Sequence, residues 1–304
     1  VIELQNINLE FDKPILKNIS LKITQGETLG IVGKSGVGKS SLLAIIAGKL
    51  TPQSGDIFYK GKILPYSNQL LIPGFPFVQI VEQNFALDLY HTVYENIHVK
   101  AAHLAFEKRD SWVRKIMRSL GLLKLEHQKA ITLSGGEQQR LSIARALATK
   151  PTILLLDEPF AHLDEVLKSK LIASLTKLKS QVNCTMVVVS HDGSDLLSIS
   201  DNIVHLKRGQ ISSKRTPEEI YFNPKNKEEA ELFGFWNQLE PNKERINFRP
   251  SQYEIVESDG IVLESITSFF KGSSFENHCV SNLGSFVLHS LKPLTNGIQI
   301  VIQK

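Results

Sequence analysis

Apolar and polar positions alternate with period two over Ile2–Glu10 and again over 19–23, the pattern of half-buried antiparallel strands. Thr28-Leu-Gly-Ile-Val-Gly33 is a continuous apolar run closed by glycine, and a helical spacing takes over across 39–47. Two further apolar runs, 153–156 and 186–189, flank a helical stretch from about 164 to 179. That spacing suits a crossover between parallel strands. Residues 92–125 are helix-rich and read as an insert. Helical character returns around 217–236, and the polar stretch 237–245, with Pro241, marks a boundary. Beyond it, short apolar runs at 246–249, 261–263, 279–280, 286–288 and 298–302 are separated by Gly, Ser and Asn with no helical period. They predict a small antiparallel β domain, open or barrel-like. The pattern therefore gives an α/β domain over 1–236, with a helical insert at about 84–132, and a β domain over 237–304.

Length and composition agree with two globular units. The 304 residues suit two domains at about 150 residues each. With 42% hydrophobic and 22% charged residues the chain is too apolar for disorder. A net charge of +4, spread along the chain, is too small to indicate nucleic acid or an anionic membrane surface as a partner. No signal-peptide pattern is expected in 1–12, which mixes polar and acidic residues into the apolar ones. The uncharged stretch 63–81 has transmembrane length but contains Pro65, Pro73, Gly74 and Pro76, so it is not expected to span a membrane. Cys184 and Cys279 sit far apart in apolar surroundings and read as reduced thiols of a cytosolic protein.

The chemistry begins at Gly33-Lys-Ser-Gly-Val-Gly-Lys-Ser40, which matches G-x-x-x-x-G-K-[ST] between a predicted strand and a predicted helix. Gly33, Gly36 and Gly38 allow the backbone to curl so that successive N–H groups point inward, and the helix adds its positive end. The candidate triphosphate cradle is Gly33, Lys34, Ser35, Gly36, Val37, Gly38, Lys39, Ser40 and Ser41. Lys39 supplies a charge for the β and γ phosphates, and the Ser40 hydroxyl suits Mg²⁺. Asp157 and Glu158 follow a buried run, at the strand end where open α/β sheets bind ligands. Asp157 is placed to hold Mg²⁺, and Glu158 to orient or deprotonate an attacking water. His191 ends the next apolar run, where it can hold a γ-phosphate oxygen or the water. In Leu133-Ser-Gly-Gly-Glu137, Ser134 reads as an N-cap with Glu137 as its capping-box partner. Gly135 and Gly136 leave that second helix start bare enough for close approach of an anion.

The phosphate loop, Gln83, Leu133-Ser-Gly-Gly-Glu137, Asp157-Glu158-Pro159, Leu163-Asp164 and His191 occur in that order. Together they resemble the ATP-binding cassette (ABC) ATPases over about residues 1–235. The resemblance implies a P-loop NTPase cassette, a mixed sheet with a helical subdomain, that hydrolyses ATP with Mg²⁺. It implies two copies paired head to tail, each ATP lying between one copy's phosphate loop and the other's Ser134, Gly135, Gly136 and Glu137. Gln83 would touch Mg²⁺ and the attacking water, Asp164 would reach across the dimer, and Phe11 would stack on adenine. Departures are small: Phe11 replaces a more usual tyrosine, His162 stands where alanine is common, and Ala130 lies near a common proline.

Arg215-Thr-Pro-Glu-Glu-Ile-Tyr-Phe-Asn-Pro224, Phe233-Gly234 and Phe248-Arg-Pro250 resemble the connection and tail of prokaryotic importer cassettes with an OB-like (TOBE) domain. Such proteins energise uptake of oxyanions, polyamines, iron or sugars. They imply separate transmembrane permease subunits, a solute-binding protein, and a peripheral position on the cytoplasmic face of the inner membrane. Alternatives with the same catalytic motifs are a soluble cassette ATPase and a nucleotide-gated regulator that uses the tail to hold a partner.

Overall fold

The computed structural model describes residues 2–161, 163–240 and 245–303; Val1, His162 and Pro241 lie outside them. The chain packs as two compact units, Val1–Pro217 and Glu218–Lys304. The packing division precedes the 236/237 boundary read from the sequence. The cause is Arg249, whose buried guanidinium donates to the carbonyls of Tyr221, Ala230, Gly234 and Phe235 and ties 221–235 to the strands that follow.

In the first unit β1 (Ile2–Glu10) and β2 (Pro14–Ile23) form the expected antiparallel pair. The chain continues through β3 (Thr28–Val32), α1 (Lys39–Ile46), β4 (Ser54–Tyr59), β5 (Lys62–Ile63) and β6 (Val78–Val81). Three helices follow, α2 (Val93–His98), α3 (Phe106–Ser119) and α4 (Gly135–Ala148), and then β7 (Ile153–Asp157). Next come α5 (Glu165–Val182), β8 (Thr185–Ser190), α6 (Gly193–Leu197), β9 (Asn202–Lys207) and β10 (Gln210–Ile211). One sheet is antiparallel in the order β2-β1-β4-β5. The other runs β10-β9-β3-β8-β7-β6, parallel except for β10.

Strands β3, β7 and β8 are buried along their whole length, which explains their unbroken apolar sequences. Leu29, Ile31, Leu155 and Val187 join α1 and the β1–β2 hairpin in one core, each large side chain contributing about 1.5–3 kcal/mol. Register brings the functional strand ends to one edge. Val32 pairs with Ser190, Asp157 with Val189, and Val81 with Leu156. The residues that follow each strand therefore emerge together.

The second unit opens with α7 (Pro217–Phe222) and α8 (Lys227–Glu231), then β11 (Asn237–Leu239), β12 (Ile246–Phe248) and β13 (Tyr253–Val256). It closes with β14 (Ile261–Val262), β15 (Ser265–Phe270), β16 (Phe275–Ser281), β17 (Gly284–Ser290) and β18 (Gln299–Ile302). They form three small antiparallel sheets, β11-β12, β13-β18-β14 and β15-β16-β17, over a core that includes Phe248, Leu263, Phe286, Leu288 and Ile300. Three strands were not expected. β11 occupies part of the stretch read as a polar linker, because Asn237 exchanges two side-chain hydrogen bonds with Val287. β13 and β15 carry Glu, Ser and Thr among their apolar residues; β13 pairs with the distant β18, and β15 with the adjacent β16.

Among the described residues no helix is long and apolar enough to cross a membrane. Both cysteines are free and buried, and burial pushes each thiol up to about 11, which leaves them unreactive.

Candidate functional site

The loop between β3 and α1 is shaped by contacts that exclude side chains. A Cβ on Gly33 would stand 2.4 Å from the Leu206 carbonyl oxygen. Gly38, the N-cap of α1, has φ +106°, and a Cβ there would meet Ile15 at 2.8 Å. No side chain caps α1, so its first N–H groups face the loop. A cavity of about 380 Å³ opens here, walled by loop residues, Ile15, Gln83 and Glu158. Lys39 is buried beneath it. Its ammonium donates to the carbonyls of Gly33 at 2.7 Å and Lys34 at 3.1 Å, and lies 3.4 Å from Glu158 Oε1.

Glu158 is the centre of the site. It follows β7 in a left-handed conformation, φ 51°, while its N–H still bonds to the Val189 carbonyl. Such a backbone costs about 1–3 kcal/mol for a non-glycine residue, and here it turns the carboxylate toward both neighbours. One oxygen faces Lys39. The other lies 2.7 Å from His191 Nδ1 and also accepts from the His191 backbone N–H. A carboxylate accepts only, so Nδ1 carries the proton. In neutral histidine Nε2 is then left as an acceptor, on a ring that is 57% exposed.

Asp157 is buried, and its Oδ1 has no hydrogen-bond partner. Burial raises its pKa above the usual carboxylate range, against a hydrogen bond from Ser40 that favours the charge. An orphaned carboxylate oxygen beside a hydroxyl fits Mg²⁺, which takes one or two protein oxygens and completes its shell with phosphate and water. Ser40 and Asp157 are therefore the residues suited to hold the ion, with Gln83 at the cavity wall. Among the described residues no group of three or more His, Cys, Asp or Glu forms a metal cage.

The remaining expected residues stand apart from this cavity. Ser134 caps α4, and Glu137 accepts from the Ser134 N–H and hydroxyl at 2.8 Å each, which holds Glu137 below the ordinary glutamate range. Asp164 caps α5 by accepting from the Leu167 N–H at 2.8 Å. Phe11 follows β1 with 62% of its surface exposed. Within one chain, Phe11, Ser134, Gly135, Gly136, Glu137 and Asp164 do not line the cavity.

Sequence reasoning missed three contributors. Ile15 supplies the apolar wall. Buried Gln139 reaches the Glu158 carbonyl at 3.4 Å from α4. Arg145, also on α4, donates to the Ala86 carbonyl and to Asn96, and pairs with Asp88 at 3.0 Å. It braces the loop after Gln83, where Phe85 and Ala86 both have positive φ. The only sequence signal for Arg145 is a charge on the apolar side of α4.

The ABC transporter family profile matches residues 16–161. The spermidine/putrescine import ATP-binding protein PotA of Clostridium novyi is 33% identical over 327 residues, covering 95% of this chain and 91% of that protein. The molybdate/tungstate import ATP-binding protein WtpC of Pyrococcus horikoshii is 36% identical over 242 residues, covering 79% of this chain and 69% of that one. Among solved structures, the ATP-binding cassette MJ0796, dimeric and bound to ADP and Pi, superposes with a TM-score of 0.64 at 29% identity. The match covers 71% of this chain and 99% of that one. With the phosphate loop, the paired carboxylates and the capped glycine pair of α4 in family order, the chain belongs to the ABC transporter ATP-binding proteins and is an ATPase.

Proposed function

We propose that this chain is the ATPase subunit of an importer, energising uptake of a small polar solute through separate membrane subunits from the cytoplasmic face. The names of its relatives support import; one handles a polyamine cation and another an oxyanion. The solute is recognised by other chains of the system, a permease and a solute-binding protein. The observation that carries the catalytic reading is the placement of Glu158 between Lys39 and His191.

In this reading the phosphates enter the cradle of residues 33–41, and Lys39 neutralises charge on the β and γ groups. Ser40 and Asp157, with Gln83 nearby, would hold Mg²⁺, which would supply further neutralisation. Glu158 accepts a proton from the attacking water, and His191 Nδ1–H fixes the orientation of that carboxylate. Ser134, Gly135 and Gly136 of a second copy meet the γ-phosphate, Asp164 reaches across, and Phe11 stacks on the base. Two copies closing on ATP and parting after hydrolysis give the two states whose different contacts drive the membrane subunits.

Glu158→Gln should lower ATP turnover by about a hundredfold or more while leaving ATP affinity within about threefold. Turnover within about threefold of wild type would overturn the base assignment. Co-purification with a multispanning membrane protein tests the importer assignment; a chain that purifies without one under conditions that preserve membrane complexes contradicts it.

A further inference from the structure

Beyond Glu158, His191 and the loop, a second polar connection runs from the site to the start of α5. Ser190 is the last residue of β8, and its hydroxyl accepts from the Asp192 N–H at 3.0 Å and donates to Asp195 Oδ2 at 3.3 Å. These bonds span both sides of His191. Asp195 lies on α6 with its side chain only 10% exposed, and its other oxygen accepts from Lys168 Nζ at 2.8 Å. Burial raises the Asp195 pKa despite the Lys168 partner, the mark of a charge that depends on its cation.

Lys168 stands one turn into α5, and its own N–H donates to the carbonyl of Asp164. Its side chain is 18% exposed, and its ammonium also lies 3.4 Å from Glu165 Oε1. The connection is therefore Asp164, α5, Lys168, Asp195, Ser190, His191, Glu158, Lys39, with a hydrogen bond or ion pair at every step but Ser190 to His191, which are joined by the chain itself. Nothing in the phosphate cavity requires Lys168, which does not line it. What the pair does is join two helices. One, α5, begins at the residue expected to face a second copy; the other, α6, begins just after His191.

We propose that Lys168 is a positioning residue for ATP hydrolysis, setting His191 through Asp195 and Ser190 and so tying its placement to the start of α5. The inference rests on the proposed role of His191. A purely structural ion pair between α5 and α6 is the competing account, and it predicts loss of stability with no special relation to His191.

A double-mutant cycle separates them. ATP turnover, KM for ATP and thermal midpoint are measured for the full chain carrying Lys168→Met, His191→Ala and both. The expected result is that Lys168→Met lowers kcat about tenfold with KM within about twofold, that Lys168→Arg restores most of it, and that Lys168→Met has no further effect in the His191→Ala background. Equal loss from Lys168→Met in both backgrounds overturns the positioning role and leaves the site reading standing. Unchanged kcat in His191→Ala overturns the site reading itself. If Lys168→Met does not fold, Asp195→Asn enters the same cycle with the same expectations.

Discussion

At the start of α1 the N-cap is a glycine in a left-handed conformation, no side chain closes the helix, and a buried lysine waits below. At the start of α4 the N-cap is Ser134, Glu137 folds back on it, and Gly135 is exposed with nothing within 4 Å of where its Cβ would stand. Both starts have the positive end of a helix and both are stripped of bulk. They differ in what completes them. The first has its cation, its metal-suited carboxylate and its base within one chain. The second has its cap satisfied internally and an open glycine outside the phosphate cavity. Under the proposed function the difference assigns the two starts different jobs: one holds phosphate by itself, and the other acts only on something brought to it.

Substitutions that strike one start and spare the other test this contrast. Lys39→Ala should weaken ATP binding by about a hundredfold or more, read by titration of a fluorescent ATP analogue, because it removes the buried ammonium beneath the cradle. Gly135→Ala should leave both ATP binding and the thermal midpoint unchanged, since the added methyl meets open space. Turnover should nevertheless fall about tenfold if another copy must approach closely there. A Gly135→Ala enzyme at full rate removes the second helix start from the mechanism.

Two smaller effects concern stability. Burial raises the Asp157 pKa, so the charged form works against the fold. Its favourable contribution is complete below the ordinary aspartate range and is lost as pH rises through the folded value. Asp157→Asn should therefore raise the thermal midpoint of the nucleotide-free protein by about 2–4 °C near pH 7, with the gain shrinking toward about pH 3. Glu137 has the opposite sign. Its hydrogen bonds to Ser134 lower its pKa, so its stabilisation is present above the ordinary glutamate range and fades as pH falls through the folded value. Glu137→Ala should cost about half to one kcal/mol near neutral pH in denaturant titrations and less in acid.

In the first unit β1, β2, β3, β7, β8 and the phosphate loop were legible in the sequence because their signals are local, whereas β4, β5, β6, β9 and β10 were not read. An apolar run buried on both faces, a glycine-rich loop and a capping box are each written within a few neighbouring residues. What escaped depends on distant partners. Arg145 and Gln139 look like ordinary polar residues of α4 until the fold places the Ala86 and Glu158 carbonyls beside them. The second unit was harder for the same reason. Its buried Asn277, which accepts from Ser268 and Leu294 and donates to Leu288 and Ser290, carries no pattern that a linear reading detects. The joining of 218–236 to the β strands rests on distant partners too: Arg249, stacked between Tyr221 and Trp236, and Phe235, edge-on to His289.

The most direct test mixes two defective chains, one carrying Lys39→Ala and the other Gly135→Arg. Each alone should be inactive, for in a symmetric pair both sites then lack a cradle charge or a usable α4 start. In a mixed pair one site combines the intact Lys39 of one copy with the intact Gly135 of the other, so the mixture should recover about a quarter of wild-type turnover. If the mixture hydrolyses ATP no faster than the sum of its parts, the claim that two copies complete each other's site is contradicted.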